Sequence, residues 1–308
     1  MNSHVGDGEQ CTVERNRRTF ATAAGALALA ALATGCGAGG GDSASSPATT
    51  AAPLASVGAT APATAPGSSD AAGSAATAAL WRKWGLKPLA PAPAPPAVPP
   101  IKLTRTGTVP VIDSVPTHQK IVFITLDDGL EKDPKFVEMM RELKVPFTMF
   151  LMNDAIKSDY GYFKPLQALG NSIQNHTLHH PAMNTVSEDR QKQEVCGDQK
   201  ILTTQYGTAP FLFRPPYGAG AHTASLNAAV QACGPRAIVY WKESMQITGV
   251  QYQTSVHKFQ DGDIILAHFR GPAELKGETM TKMFANLIKR IEEQGFTVAR
   301  LDDYIQKP

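Results

Sequence analysis

The chain has 308 residues, a net charge of +2 and 43% hydrophobic residues. That length suits one large domain or two small ones. The balance is that of a soluble globular domain, with none of the basic excess that would point to a nucleic-acid partner.

The averages hide a split. Alanine, glycine, proline, serine and threonine dominate the first hundred residues, and an ordinary mixture of aliphatic, aromatic and charged residues begins near Ile101. Arg15, Arg17 and Arg18 precede an apolar run from Phe20 to Leu32. The run is shorter than the roughly 20 apolar residues a bilayer span needs. A basic start, a short apolar core and small residues after it read as a secretory signal. Ala33-Thr34-Gly35-Cys36 resembles a bacterial lipobox, with Ala33 where leucine is usual, and Arg17-Arg18-Thr19-Phe20 resembles a twin-arginine export signal. Residues 1–36 are therefore expected to be a signal ending in a lipidated Cys36, the alternative being an ordinary cleaved signal with an incidental cysteine. Residues 37–100 form a low-complexity linker, too poor in apolar side chains to offset the entropy of ordering it. Within it, Trp81-Arg82-Lys83-Trp84 is an aromatic-basic island that touches the membrane, the cell wall or the domain surface. The alternating proline and alanine of 91–100 favour a stiff spacer. Such a chain would hold its domain, residues 101–308, at the outer face of the cell membrane.

Cysteine usage agrees with export. If Cys11 leaves with the signal and Cys36 carries lipid, Cys196 and Cys233 remain, and two cysteines in an exported domain are expected to pair. Two buried thiols are the alternative.

From Lys120 onward apolar runs alternate with helical segments. Strands are expected at 121–126, 147–152, 171–175, 211–214, 237–241, 263–268 and 296–300. Asp133 can cap a helix that Pro134 opens, with Phe136, Val137, Met139, Met140 and Leu143 as its buried stripe. Further helices run from Thr185 or Ser187 to Tyr206, from Ser225 to Cys233, and from about Thr279 to Gln294, and glycines follow all three. This alternation implies parallel strands with right-handed crossovers. Seven such units fit an α/β barrel, closed or nearly so, with its chemistry at the C-terminal strand ends.

The polar clusters fall at those ends. Asp127 and Asp128 follow the first strand, and His176, His179 and His180 follow the third. Arg214-Pro215-Pro216-Tyr217-Gly218 follows the fourth, and His268 ends the sixth. An Asp-Asp-Gly triplet alone is usually a turn. His176 and His180 are four apart, so one helical turn would place both imidazoles on one side, a common zinc-binding spacing. Two histidines and a carboxylate suit zinc, iron, cobalt or manganese. With zinc, a bound water becomes acidic near neutral pH. A second, free aspartate can then take the proton, an arginine can orient it, and a distant histidine can protonate a leaving group.

Over residues 115–305 these motifs resemble the polysaccharide deacetylase family, also known as carbohydrate esterase family 4 or the NodB-homology domain. Thr125-Leu126-Asp127-Asp128-Gly129, Asn175-His176-Thr177-Leu178-His179-His180-Pro181, Arg214-Pro215-Pro216-Tyr217-Gly218 and Leu266-Ala267-His268 carry the resemblance. It implies a distorted (β/α)7 barrel and metal-dependent removal of N- or O-acetyl groups from a sugar polymer such as peptidoglycan or a chitin-like glycan. Asp128, His176 and His180 would bind the divalent metal, zinc before cobalt or manganese. Asp127 would be the base, Arg214 its orienting partner and His268 the acid. Tyr217 would help hold the oxyanion through its backbone amide, and Leu266 would line the acetyl pocket. The family's fourth motif departs here: Val239-Tyr240-Trp241-Lys242-Glu243 offers Glu243 as the one nearby carboxylate for His268. An O-acetyl xylan esterase or small-amide hydrolase on the same barrel, and a wall-binding lipoprotein without turnover, are the alternatives. A monomer is expected.

Overall fold

The structure, a computed structural model, describes residues 68–308. The signal and lipobox residues Arg15 to Cys36, and the linker up to residue 67, lie outside the described residues. No helix among the described residues is long and apolar enough to cross a membrane.

The elements in chain order are α1 (Ser68–Lys83), β1 (Ile101–Lys102), β2 (Val111–Ile112), β3 (Ile121–Asp128), α2 (Pro134–Leu143), β4 (Thr148–Leu151), α3 (Asn153–Ile156), α4 (Lys164–Ala168) and β5 (Ile173–Asn175). They continue with α5 (Glu188–Tyr206), β6 (Leu212–Phe213), α6 (Ala224–Cys233), β7 (Ala237–Val239), β8 (Glu243–Met245), β9 (Val250–Tyr252), β10 (Ile264–His268), α7 (Met280–Glu293), β11 (Thr297–Val298) and β12 (Ile305–Gln306). The helices begin where their caps predict. The side chains of Asp133, Ser187, Thr223 and Thr279 each accept a bond from a backbone N–H in the first turn that follows, satisfying donors that otherwise have no partner.

The main sheet runs β2-β7-β6-β5-β4-β3-β10-β8-β9, and only the β8–β9 pair is antiparallel. After β2 the chain bends and meets the start of β10. Ser114 bridges Asp263, the Val115 N–H donates to Gly262 O at 2.8 Å, and the Ile264 N–H donates to Asp113 O at 3.3 Å. That seam curls seven strands (β2, β7, β6, β5, β4, β3 and β10) into a distorted barrel. β3 lies between β4 and β10 and is buried along its whole length, as a parallel strand covered on both faces must be.

The expected seventh strand at 296–300 is not one of these. β11 pairs only with Ile121 and Val122 at the start of β3, and the seventh place in the ring belongs to β2. A short apolar strand reads the same wherever it pairs, and the two-residue β2 follows Pro110, which lacks the N–H that a ladder uses.

The chain before the barrel packs on its outside. Trp81 and Leu86 are buried. Lys83 reaches Glu138 and Glu142 of α2, each at 2.6 Å, and the Trp84 indole N–H donates to Glu142 at 2.6 Å. Thr297 Oγ1 donates to Ala90 O. The aromatic-basic island thus lies on the domain surface, where it covers α2. Cys196 and Cys233 form a disulfide that ties α5 to α6.

Candidate active site

β3 positions the first pair of functional side chains. Its last two residues, Asp127 and Asp128, are almost fully buried. Asp127 is the register partner of His268 at the end of β10. The strand ends because Asp128 takes a left-handed φ of 72° and Gly129 one of 90°. A Cβ on Gly129 would come within 2.5 Å of Ile156, so the turn needs glycine for space as well as for conformation.

Asp127 is held by Arg214, whose side chain is completely buried. Arg214 Nη1 donates to Asp127 Oδ1 and to Thr125 Oγ1, each at 2.7 Å. Nε and Nη2 donate to Val239 O and Tyr240 O at 3.0 and 3.1 Å. The guanidinium also stacks 4.3 Å from the Phe150 ring centre. Burial pulls the Arg214 pKa down and Asp127 opposes it. Oδ2 is the free oxygen of Asp127, 3.7 Å from His176 Nε2.

The loop after β5 brings the histidines. It is not the helical turn that the spacing suggested. Residues 176–180 are non-helical, and Thr177 and His180 have φ of 75° and 60°. The imidazoles of His176 and His180 nevertheless meet, with ring centres 5.0 Å apart. Side-chain bonds fix the loop: Thr177 N donates to Asn175 Oδ1 and His180 N to Thr177 Oγ1, both at 3.1 Å. Buried carboxylates on α5 brace it from behind. Glu194 accepts from His179 N at 2.9 Å, and Asp198 accepts from His176 N at 3.2 Å. His179 points away from the other two and pairs with Glu194, which Arg190 also holds. Among the described residues, four of the seven non-glycine residues with positive φ (Asp128, Thr177, His180 and Tyr217) belong to this site. Each such residue costs on the order of 1–3 kcal/mol and persists where its surroundings over-determine it.

Asp128, His176 and His180 offer one ligand atom apiece, all within 4.8 Å of one another. His176 Nδ1 lies 2.7 Å from Arg214 O. A carbonyl only accepts, so Nδ1 carries the proton and Nε2 presents a lone pair. Asp128 Oδ1 is buried without a hydrogen-bond partner, although His180 Nε2 and His176 Nε2 lie 3.2 and 3.5 Å away. Two imidazole nitrogens and a carboxylate oxygen converging on one point fit a divalent cation. Burial alone would raise the Asp128 pKa, but the two imidazoles hold it well below the usual carboxylate range.

His268 stands at the rim with Asp127. Burial pushes its pKa down to about 4 against the pull of Asp127 and Asp128, and Arg270 pushes the same way. The proposed carboxylate support is absent. Glu243 lies against Asp263, and burial together with that second carboxyl raises its pKa to about 9. Among the described residues no hydrogen bond or ion pair joins Glu243 to His268, so that expectation is corrected. Glu243 is instead a protonated acid in the barrel seam, carried there by its register with Ile265.

Asp127, His176, His180, Tyr217, Leu266 and His268 line one cavity of about 90 Å³, together with Pro215, Trp241 and Arg270. Asp128 and Arg214 join them through the histidine pair and Asp127, so of the expected residues Glu243 alone lies elsewhere. The Tyr217 ring covers His180 at 4.7 Å and is largely exposed. Trp241 stacks on Tyr240 at 4.3 Å, and its indole N–H is buried without a partner. Thr125, Glu194, Asp198, Trp241 and Arg270 were not anticipated as site residues. Gln191, Glu194 and Asp198 recur at helical spacing on the buried side of α5, and that polar stripe was the one local signal available for the two carboxylates behind the histidine loop.

Comparison with known proteins now has a geometry to explain. The sequence profile of the polysaccharide deacetylase family matches residues 114–238. An uncharacterized protein of Streptomyces coelicolor, SCO4760, is 36% identical over 197 residues, covering 64% of this chain and 77% of that protein. The chain belongs to the polysaccharide deacetylase family. Its members include hydrolases of carbon–nitrogen bonds in linear amides, such as peptidoglycan-N-acetylglucosamine deacetylases. A peptidoglycan-N-acetylglucosamine deacetylase of Bacillus cereus is 34% identical over 107 residues, 34% of this chain and 39% of its own length. A solved structure of a peptidoglycan N-acetylglucosamine deacetylase superimposes with a TM-score of 0.53 at 23% identity, covering 65% of this chain and 94% of that one. That likeness speaks for the curled barrel alone.

Proposed function

We infer that this polysaccharide deacetylase removes N-acetyl groups from an amino-sugar polymer such as peptidoglycan, with a divalent cation on Asp128, His176 and His180. The observation that carries the reading is the division of labour between neighbouring aspartates: Asp128 lies among lone pairs, while Asp127 is tied to Arg214. A bound cation would polarise the acetyl carbonyl and acidify water. Zinc suits the donor set best, and cobalt and manganese suit it next.

The chain's own residues do the remaining work. Arg214 fixes Oδ1 of Asp127, so Oδ2 faces the cavity as the base. As water oxygen bonds to the acetyl carbon, Asp127 Oδ2 receives the water proton. The C–N bond then breaks, its electron pair goes to nitrogen, and nitrogen collects a proton on the His268 side. Acetate and a free amine result. His268, the register partner of Asp127, is the residue on that side that can hand the nitrogen its proton. Leu266 and the Trp241 ring enclose the methyl group, and the unpartnered Trp241 N–H is available to a substrate oxygen. The backbone amide of Tyr217, aimed by its left-handed φ of 59°, serves the charge that develops on the carbonyl oxygen.

The reaction belongs outside the cell membrane. The basic and apolar signal residues, Cys36 in its lipobox-like setting, and the Cys196–Cys233 disulfide support an exported domain held by lipid. The test is acetate release from N-acetylated and O-acetylated glycans with several divalent metals. Asp127→Asn should lower kcat by about 10²–10⁴-fold. Full activity in that variant removes the assigned base. Release from O-acetyl substrates alone turns the reading to an esterase. Glycan binding without release under any metal turns it to a wall-binding protein.

A further inference from the structure

Two cavities share the wall made by His268 and Arg270. One is the catalytic cavity. The other, about 130 Å³, is otherwise lined by Met245, Gln246, Ile247, Glu274, Leu275 and Met283. It is a mixed chamber, with apolar thioether and aliphatic groups around two polar ends.

Arg270 is set firmly in that wall. Its N–H donates to His268 O at 3.0 Å. The preceding Phe269 is fully buried against Phe136, Tyr162 and Phe163. The guanidinium is 41% exposed, and its one carboxylate neighbour at ion-pair distance among the described residues is Asp128, at 3.8 Å. Glu274 lines the same chamber, but one of its oxygens accepts from Gly271 N at 3.1 Å. A dication on Asp128 takes up that carboxylate's charge. Arg270 then faces the substrate space as a cation without a partner, and its forked donors match a carboxylate.

We propose that Arg270 and this second chamber select N-acetylated amino sugars that carry a short carboxylate substituent beside the acetamide. The acetamide occupies the catalytic cavity. The carboxylate rests on the guanidinium, and its carbon stem lies among Met245, Ile247 and Leu275. An ether-linked lactyl group, as on a muramic acid unit, has such a stem. A ring carboxylate, as on an aminouronic acid, has none. The proposal rests on the deacetylase reading, and it makes Arg270 a specificity residue of that site.

The test is binding first, so that it does not depend on turnover. Calorimetry on the zinc-loaded full chain compares an N-acetylglucosaminyl–N-acetylmuramic acid disaccharide with its methyl ester and with an N-acetylated aminouronic acid disaccharide. The free muramic acid should bind about tenfold tighter than the ester, a factor worth about 1.4 kcal/mol. Arg270→Gln should bring the two together, and Arg270→Lys should keep part of the preference. The kcat/KM ratio for the same pair should follow through KM. Equal affinity of wild type for acid and ester overturns the proposal, and so does a preference that survives in Arg270→Gln. Tighter binding of the aminouronic acid overturns the chamber's part in it. An intact acid preference without acetate release supports the proposal and sinks the deacetylase reading instead.

Discussion

Replacing Arg214 with methionine separates structure from chemistry more sharply than any other change at this site. Arg214 is fully buried and donates four hydrogen bonds, to Asp127, Thr125, Val239 and Tyr240. Methionine keeps the bulk against Phe150 but leaves Asp127 as an uncompensated buried charge, at a cost of about 3–5 kcal/mol. The other three acceptors lose their donor at a net cost of about 1 kcal/mol each. The sum, about 6–8 kcal/mol, exceeds the low end of the ~5–15 kcal/mol that stabilises a typical protein. Asp127→Asn makes the opposite error, leaving Arg214 buried as a cation without its countercharge while the asparagine Oδ1 can still accept from it, and should cost less. The double variant removes both charges and should recover about 2–3 kcal/mol of the summed loss, the coupling expected of close partners. Urea unfolding of the four proteins at pH 7 measures it. A loss below about 1 kcal/mol in Arg214→Met, or additive effects in the double variant, would refute the account of the pair as a buried ion pair.

Gly197 lies within α5, where glycine costs about 1 kcal/mol relative to alanine. A Cβ there would stand 2.4 Å from Leu178 of the histidine loop, so Gly197→Ala should weaken zinc binding in a competition titration, and adding Leu178→Ala should restore it. His268 contributes to acid lability: its ordinary pKa of 6.5 falls to about 4 on folding, so the unfolded chain binds the proton more tightly and stability drops as pH falls from about 6.5 to 4, by up to about 3 kcal/mol. His268→Gln should flatten that part of the stability curve, and an unchanged slope would count against the neutral buried imidazole. The disulfide closes a sequence separation of 37 residues, so replacing Cys196 and Cys233 with alanine should cost about 4 kcal/mol on the loop-entropy model in urea unfolding under non-reducing conditions.

How far the sequence revealed this site depends on how local each cause is. Asp127 and Asp128 could be found because an apolar strand ending in charge is a continuous pattern. The starts of α2, α5 and α7 were legible because a cap is a contact between residues two or three apart, whereas α6 is capped by Thr223 and not begun at Ser225. His176 and His180 were found for a reason that does not hold, since their rings meet across two left-handed residues rather than one helical turn. Glu243 was misjudged because its neighbour is set by register: three residues of β8 slide beside β10 and carry it to Asp263. The hairpin of β8 and β9 went unseen because its strands are three residues each, one with a buried carboxyl group. The exchange of β11 for β2 in the ring is likewise a choice of partner, which no short apolar run encodes. Arg270 gave no signal at all, for a lone arginine after His268 acquires meaning only from the two cavities on which it borders.

The left-handed backbone at Asp128 restricts which side chains the position can carry. At φ 72°, aspartate and asparagine are tolerated far better than most residues, since their short polar groups can bond locally. Glutamate would keep the charge but would have to bear the strain and fold away an extra methylene in a pocket with no slack. Asparagine would keep the backbone and lose the charge. In a library of variants, the position should therefore admit asparagine as the folded, silent substitute and reject glutamate, so tolerance for folding and tolerance for turnover would rank the alphabet differently at this one residue.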